Sequence, residues 1–227
     1  MYPAFFIFIS ILSFYYGLTT KPIFFWLTTN ALFFALVYGL NKPNWFLKSS
    51  KGKVNIFILI LNLPWLIFTF IVWHIQRILS SENKLNHIAG TNIYIGRRLL
   101  GDELPKEINV VIDLTCEFNE PFFKNVVYIN IPLLDAIAPS KEIFTTIEDL
   151  KNKVNGKSVF IHCAQGHGRT ALFTSILLVK LGISPNYFDA HKLILSSRPK
   201  ATMSNSQERF LKSVNKNTSQ GVSPPRA

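Results

Sequence analysis

The pattern of polar and apolar positions changes once along this chain, near residue 80. Before that point three long stretches, residues 3–19, 22–40 and 54–75, are almost free of charge. Each approaches the roughly 20 apolar residues that a helix needs to cross a bilayer, so residues 1–79 are predicted to form an all-α transmembrane region of about three helices. After a polar junction, Ser80–His87, the apolar runs become short. Ile93–Arg98 alternates as a strand, Val110–Leu114 is a continuous run of the kind buried on both faces of a sheet, and Val126–Ile131 is a third strand. Lys141–Val154 repeats Ile143, Ile147, Leu150 and Val154 at helical spacing and stops at Asn155-Gly156. Lys157–Ile161 reads as a strand and Ala171–Leu181 as a helix. Ser184-Pro185 opens another helix to about Leu195, with proline in its favoured first turn, and Ser206–Val214 is a last short one. Strands alternating with helices predict an α/β domain over residues 80–214, its sheet covered on both faces and its ligand chemistry at the carboxyl ends of the strands. From Asn215 to Ala227 no apolar pattern remains, which predicts a disordered tail.

Composition strengthens the first division. Hydrophobic residues make up 48% of the 227, too many for a wholly soluble protein, and the 20 phenylalanines crowd the first third. Trp26, Trp45, Trp65 and Trp73 lie mostly near the ends of the apolar stretches, as interfacial anchors do. A cleaved signal peptide is the alternative for the first stretch. It is disfavoured because no Lys or Arg precedes the apolar run and no clear small-x-small cleavage site follows it. Asn62-Leu63-Pro64 either kinks the third stretch or turns it back on itself, and a tolerated kink is the commoner outcome. Away from the ends of the stretches only Asn30 and Asn62 are strongly polar, so the stretches read as an anchor rather than a transport path.

Charge pulls the orientation in two directions. Lys42, Lys48, Lys51 and Lys53 between the second and third stretches place that loop in the cytoplasm, and a single crossing by the third would put the following domain outside. Arg77, Lys84, Arg97 and Arg98 favour a cytoplasmic face for that domain instead, as does the need of a reactive thiol for a reducing compartment. The cytoplasmic face is the preferred reading, with the extracytoplasmic one open. The net charge of +11 fits attraction to anionic headgroups and phosphorylated substrates. Nucleic acid is not indicated, since no basic stripe with interleaved aromatics occurs in the soluble part.

The candidate chemistry is concentrated in His162-Cys163-Ala164-Gln165-Gly166-His167-Gly168-Arg169-Thr170, between a strand and a helix. A loop in that position faces unpaired backbone N–H groups and the positive end of a helix dipole, a setting suited to phosphate. Gly166 and Gly168 let the backbone curl around an anion. The same field favours a thiolate at Cys163, the nucleophilic form of the residue. Arg169 offers a planar fork of donors for two phosphate oxygens, and Thr170 is placed to donate its hydroxyl to the sulfur. The competing reading is a buried structural cysteine in an ordinary turn.

This loop resembles the signature of the cysteine-dependent protein tyrosine phosphatases, and the chain over about residues 90–212 resembles their dual-specificity branch. The resemblance implies a dual-specificity-phosphatase-like central sheet flanked by helices, and hydrolysis through a phosphocysteine without a metal or other cofactor. It implies that Cys163, Arg169, Asp135 and Thr170 are catalytic, with Ala164, Gln165, Gly166, His167 and Gly168 binding substrate. Asp135, in a Pro-Leu-Leu-Asp…Pro pattern similar to the family's acid loop, would protonate the leaving group; a capping aspartate is its plainer reading. His162 would hold backbone around the cysteine, and no His or Cys cluster at ligand spacing argues for a metal role. Asp113 and Glu117 resemble a segment at the edge of the site and read as structural; Arg198 resembles the segment that braces the loop. Arg97 and Arg98 read as a solvated strand end, with steering of phosphate as the alternative, and Cys116 as a plain buried cysteine rather than a redox partner of Cys163. The function implied is a membrane-anchored phosphatase. Its substrate would be phosphoprotein first, because Gln165 and His167 stand where lipid-directed relatives often carry lysine, and phospholipid as the alternative. A catalytically silent phospho-binding module at the membrane is the reading from another class, and a regulatory domain serving functional spans is the most distant one.

Overall fold

The computed structural model describes residues 2–121 and 123–220. The chain divides into two compact units, Met1–Glu82 with Thr115–Phe122, and Asn83–Leu114 with Phe123–Ala227.

The first unit is helical. Its helices are α1 (Tyr2–Thr19), α2 (Phe24–Gly39) and α3 (Ile56–Leu79), with a turn of 3-10 helix at Pro43–Phe46. α1 and α2 run antiparallel, their aromatic rings meeting in order along the seam: Tyr2 with Tyr38 at 5.4 Å, Phe6 with Phe34 at 5.2 Å and Phe14 with Phe25 at 5.6 Å. The hydroxyls of Ser13 and Thr28 meet at 3.0 Å, so the polar atoms on these helices pair with each other or with backbone. Asn55 caps α3 by accepting the N–H of Phe57 at 2.9 Å. Inside α3, Pro64 supplies no N–H to the carbonyl of Ile60. The Trp26 indole N–H takes that place, lying 3.2 Å from Ile60 O and 3.1 Å from Leu61 O. The two asparagines of the apolar stretches satisfy each other, Asn30 donating to Asn62 at 2.9 Å. α1 and α3 are long and apolar enough to cross a membrane; α2, with 16 residues, is shorter. Large apolar side chains stay exposed along α3, among them Phe57, Ile60, Ile67, Phe68, Ile71 and Ile75.

The second unit is an α/β domain around a five-stranded sheet. Its strands are β1 (Leu85–His87), β2 (Ile93–Arg97), β3 (Val110–Asp113), β4 (Val127–Asn130) and β5 (Val159–Cys163), in the order β1-β2-β5-β3-β4. β1 pairs antiparallel with β2; every other pairing is parallel. β3 and β5 are buried at every position because both faces of the sheet are covered. On one face Val110, Ile112, Val159 and Ile161 pack with α4 (Ile143–Val154), α5 (Gly168–Lys180) and α6 (Tyr187–Ser197), while on the other Val111 and Phe160 pack with Leu99, Ile108 and Phe123. This is the mixed, helix-flanked sheet that the alternating pattern predicts. β1 is an addition: its polar residues lie in the expected junction, and an edge strand with half-exposed side chains leaves no alternation to read. The last helix, α7 (Asn205–Gln220), continues past Val214, where the apolar spacing ends, because extending a docked helix costs far less than starting one. The tail predicted from Asn215 is therefore helical to Gln220, and residues 221–227 lie outside the described ones.

Candidate active site

β5 ends on Cys163, level with Arg97 of β2, and one residue earlier His162 lies level with Asp113 of β3. The cysteine thus stands at the carboxyl edge of a central strand with a parallel neighbour on each side. The loop Ala164–His167 follows, and α5 begins at Gly168. Arg169 and Thr170 therefore belong to the first turn of the helix, earlier than the apolar run from Ala171 suggests, because that turn holds Gly168, Arg169 and Thr170 and no apolar residue. Both are buried, as is Cys163, and the positive end of the α5 dipole faces the loop.

Close packing fixes the loop backbone. Gly166 has φ +72°, and a Cβ there would fall 2.2 Å from the carbonyl carbon of Gly96. Gly96 is as tightly held from its other side, where a Cβ would meet Lys84 O at 2.3 Å. The two glycines let the loop, β2 and the start of β1 stack backbone against backbone. Arg98 N–H donates to Ala164 O at 3.2 Å on the same side. The buried Arg198 ties the loop to the start of β1, donating to Gly166 O at 3.1 Å and Gln165 O at 3.0 Å, and to Asn83 O and Asn86 Oδ1 at 2.8 Å each. These bonds occupy loop carbonyls from behind. Gln207, buried beside Gly168, accepts the Ser204 N–H at 3.0 Å.

The acid-loop candidate arrives from β4. Ile131 N–H bonds Asp113 O at 2.9 Å and Leu133 N–H bonds Leu114 O at 3.1 Å, which carries the chain past the end of β3. Arg169 then joins the two loops: its Nη1 donates to Leu133 O at 3.2 Å, and its Nε lies 3.3 Å from Asp135 Oδ1. Asp135 is 66% exposed, whereas Arg169 is buried. Beyond it the loop is tied to the segment before α7, Ser204 Oγ donating to Ala136 O at 2.8 Å and Ala138 N–H donating to Ser206 Oγ at 3.2 Å.

The remaining candidates lie as follows. His162 Nδ1 is 3.2 Å from Cys163 O and 4.0 Å from Asp113 Oδ1. Asp113, fully buried, accepts Tyr128 Oη at 2.6 Å. Thr170 Oγ1 is buried and has no hydrogen-bond partner among the described residues. His167 stands at the N-terminal boundary of α5, with Gln165 and His167 both half-exposed on the loop. Glu117 falls in the segment 115–122, where its carboxylate accepts the N–H of Cys116 at 3.0 Å and its thiol at 3.4 Å. Cys116 and Cys163 are both free thiols. Arg97 and Arg98 correct an expectation: both are buried rather than solvated, and β2, which Arg97 ends, lies between β1 and β5 rather than at an edge. Sequence reasoning missed Gly96, Ser204 and Ser206. A glycine inside an apolar strand is the signal that marks Gly96; Ser204 heads a Ser-x-x-Gln capping box, Gln207 N–H donating to its Oγ at 3.3 Å, and Ser206 carries no signal.

A cysteine at the end of a buried parallel strand, a loop closed onto a helix N-terminus and an arginine in that helix's first turn define a domain of the dual-specificity phosphatase class. Residues 102–223 match the family described as PTP-SAK: Swiss Army Knife protein, DSP-PTPase phosphatase domain. The chain belongs to this family. It is also 31% identical over 96 residues to Dual specificity protein phosphatase 18 of Rattus norvegicus, covering 41% of this chain. The match spans about half, 47%, of that relative's length. The crystal structure of human DUSP28 superposes with a TM-score of 0.54 at 15% identity, covering 62% of this chain and 98% of that one. That of PTPMT1 in complex with PI(5)P gives 0.51 at 19% identity, covering 62% and 100%. At these identities both show the shared fold.

Proposed function

We propose that the chain is a membrane-attached phosphatase that hydrolyses phosphomonoesters through a phosphocysteine, with phosphorylated tyrosine, serine or threonine in proteins as its substrate. The observation that carries this reading is the meeting of Arg169 with Asp135 beside the strand end that bears Cys163. In the first step the Cys163 thiolate attacks phosphorus while the bond to the ester oxygen breaks and Asp135 gives that oxygen a proton. Arg169 and the N–H groups of the loop hold the non-bridging oxygens, whose charge they stabilise through the transfer. Thr170 donates its hydroxyl to the departing thiolate in the second step, when Asp135 takes a proton from water and that water displaces the cysteine as inorganic phosphate leaves. His162, Asp113 and Arg198 keep the loop and strand ends in place without touching substrate.

The helices α1 and α3 support attachment to a membrane, and the same attachment brings the site close to phospholipid. That favours a second substrate class, a lipid phosphomonoester. A neighbour in fold, PTPMT1, was solved with PI(5)P. Gln165 and His167, neither permanently charged, favour the protein substrate. Phosphate release from a phosphotyrosine peptide, compared with release from phosphatidylglycerophosphate or a phosphoinositide in micelles, separates the two. Cys163→Ser is expected to abolish turnover of every substrate in the panel; turnover that survives it overturns the mechanism, and faster release from lipid overturns the substrate assignment.

A further inference from the structure

Three consecutive residues of the segment 115–122 contact both the residues just before α3 and Trp73 in its second half. Glu120 N–H donates to Gly52 O at 2.8 Å, and Lys53 Nζ donates to Glu120 O at 2.8 Å. Val54 N–H donates to Asn119 Oδ1 at 2.7 Å, and the Phe118 ring lies 6.1 Å from that of Trp73. A rise of about 1.5 Å per residue puts the levels of Val54 and Trp73 about 28 Å apart along a straight helix. That is nearly the ~30 Å thickness of a hydrocarbon core. The backbone of three extended residues spans about 10 Å, and the side chains of Phe118, Trp73 and Asn119 bridge the rest. Were α3 to cross a bilayer between these two points, Asn119, Glu120 and their backbone would run through its interior, where unsatisfied polar groups cost several kcal/mol each.

Pro64 falls midway between Val54 and Trp73, and Trp26 already covers the carbonyl that the proline leaves open. The missing backbone bond at the proline therefore sits where a helix that enters and returns has to bend. Charge fits the same geometry. A crossing α3 puts Lys42, Lys48, Lys51 and Lys53 on one side and Arg77, Lys84, Arg97 and Arg98 on the other; an α3 with both ends at one surface puts all eight together. Lys48 is further anchored by Thr115, whose carbonyl and hydroxyl it meets at 3.1 and 3.0 Å.

We propose that α3 dips into the lipid from one surface and returns to it, so that the basic segment 41–53 and the phosphatase domain share the cytoplasmic face. The phosphatase domain is bound to that face by chain continuity, since it follows α3 directly and holds residues 115–122 between Leu114 and residue 123. Exposed side chains such as Ile60, Ile67, Phe68 and Ile71 then make the contact with acyl chains. The inference rests on the membrane attachment proposed above.

The test uses the full-length chain with Cys116→Ala and Cys163→Ser, carrying either Ser50→Cys in the basic segment or Ser196→Cys on α6, both exposed positions. A membrane-impermeant maleimide is applied to sealed inside-out and right-side-out vesicles, and membranes are washed with alkaline carbonate. Complete labelling of both cysteines in inside-out vesicles and none in right-side-out ones supports the proposal. Labelling of the two from opposite sides overturns it and leaves the attachment standing. Labelling of both only in right-side-out vesicles overturns the cytoplasmic assignment. Release of the chain by carbonate overturns the attachment itself, and the proposal with it.

Discussion

Asp135 is the residue whose geometry demands most of the mechanism. It is largely exposed, yet its carboxylate lies 3.3 Å from the buried Arg169 guanidinium, which is the proximity that the proposed acid role requires. A general acid matters in proportion to how poorly the leaving group carries negative charge. Asp135→Asn is therefore expected to slow hydrolysis of a phosphoserine peptide by roughly 10²–10⁴-fold. An aryl phosphate whose phenol is itself acidic is expected to lose far less, and equal losses on the two substrates, read from kcat/KM, would exclude the acid role. The candidate loop was legible because it leaves unusual residues at fixed spacing: Cys163, Gly166, Gly168, Arg169 and Thr170 stand within one short segment. Arg97 and Arg98 were not, since a charged pair at the end of a short strand looks the same in sequence whether the strand is central or at an edge.

At the scale of elements, the segment before α7 holds the acid loop through two serine hydroxyls, Ser204 on Ala136 O and Ser206 on Ala138 N. A hydrogen bond of this kind contributes about 1 kcal/mol net, equivalent to a several-fold change in a rate that depends on loop position. Ser204→Ala is expected to lower kcat on a phosphoserine peptide about 3–10-fold with KM little changed, to leave an activated aryl phosphate nearly unaffected, and to be rescued by Ser204→Thr. A uniform loss on both substrates, or no rescue, would show a general structural role instead. The strands of this domain were readable where they had to be buried: Val110–Ile112 and Val159–Ile161 are apolar because other elements cover them on both faces. β1 has no such constraint. The start of α5 was also hidden, because its first turn holds Gly168, Arg169 and Thr170 in place of apolar residues. Tertiary ties such as those from Ser204 and Ser206 leave no periodicity, so nothing in the local pattern points to them.

For the whole molecule, the change of polarity near residue 80 marked the main division, but the division is not a single cut. Residues 115–122 belong to the helical unit although sequence order places them inside the α/β domain. Their bonds to Lys48, Gly52, Lys53 and Val54 join positions more than sixty residues apart, which no local pattern records. The opposed charge signals on either side of α3 were readable from the outset; what the sequence lacked was the contact of residues 118–120 with Lys53, Val54 and Trp73.

That excursion has a practical consequence for anyone wishing to study catalysis apart from lipid. A truncated chain beginning at residue 83 keeps Phe118, Asn119 and Glu120 but loses Trp73, Val54 and Lys53, the groups they bind. It is expected to form soluble aggregates, visible by size-exclusion chromatography, unless Phe118→Ser is introduced or the excursion is replaced by a short glycine-containing turn joining Leu114 to residue 123. A monodisperse, active product from the unmodified truncation would show that the excursion needs no partner. Scissors applied at one border release nothing cleanly from a chain that crosses the border three times.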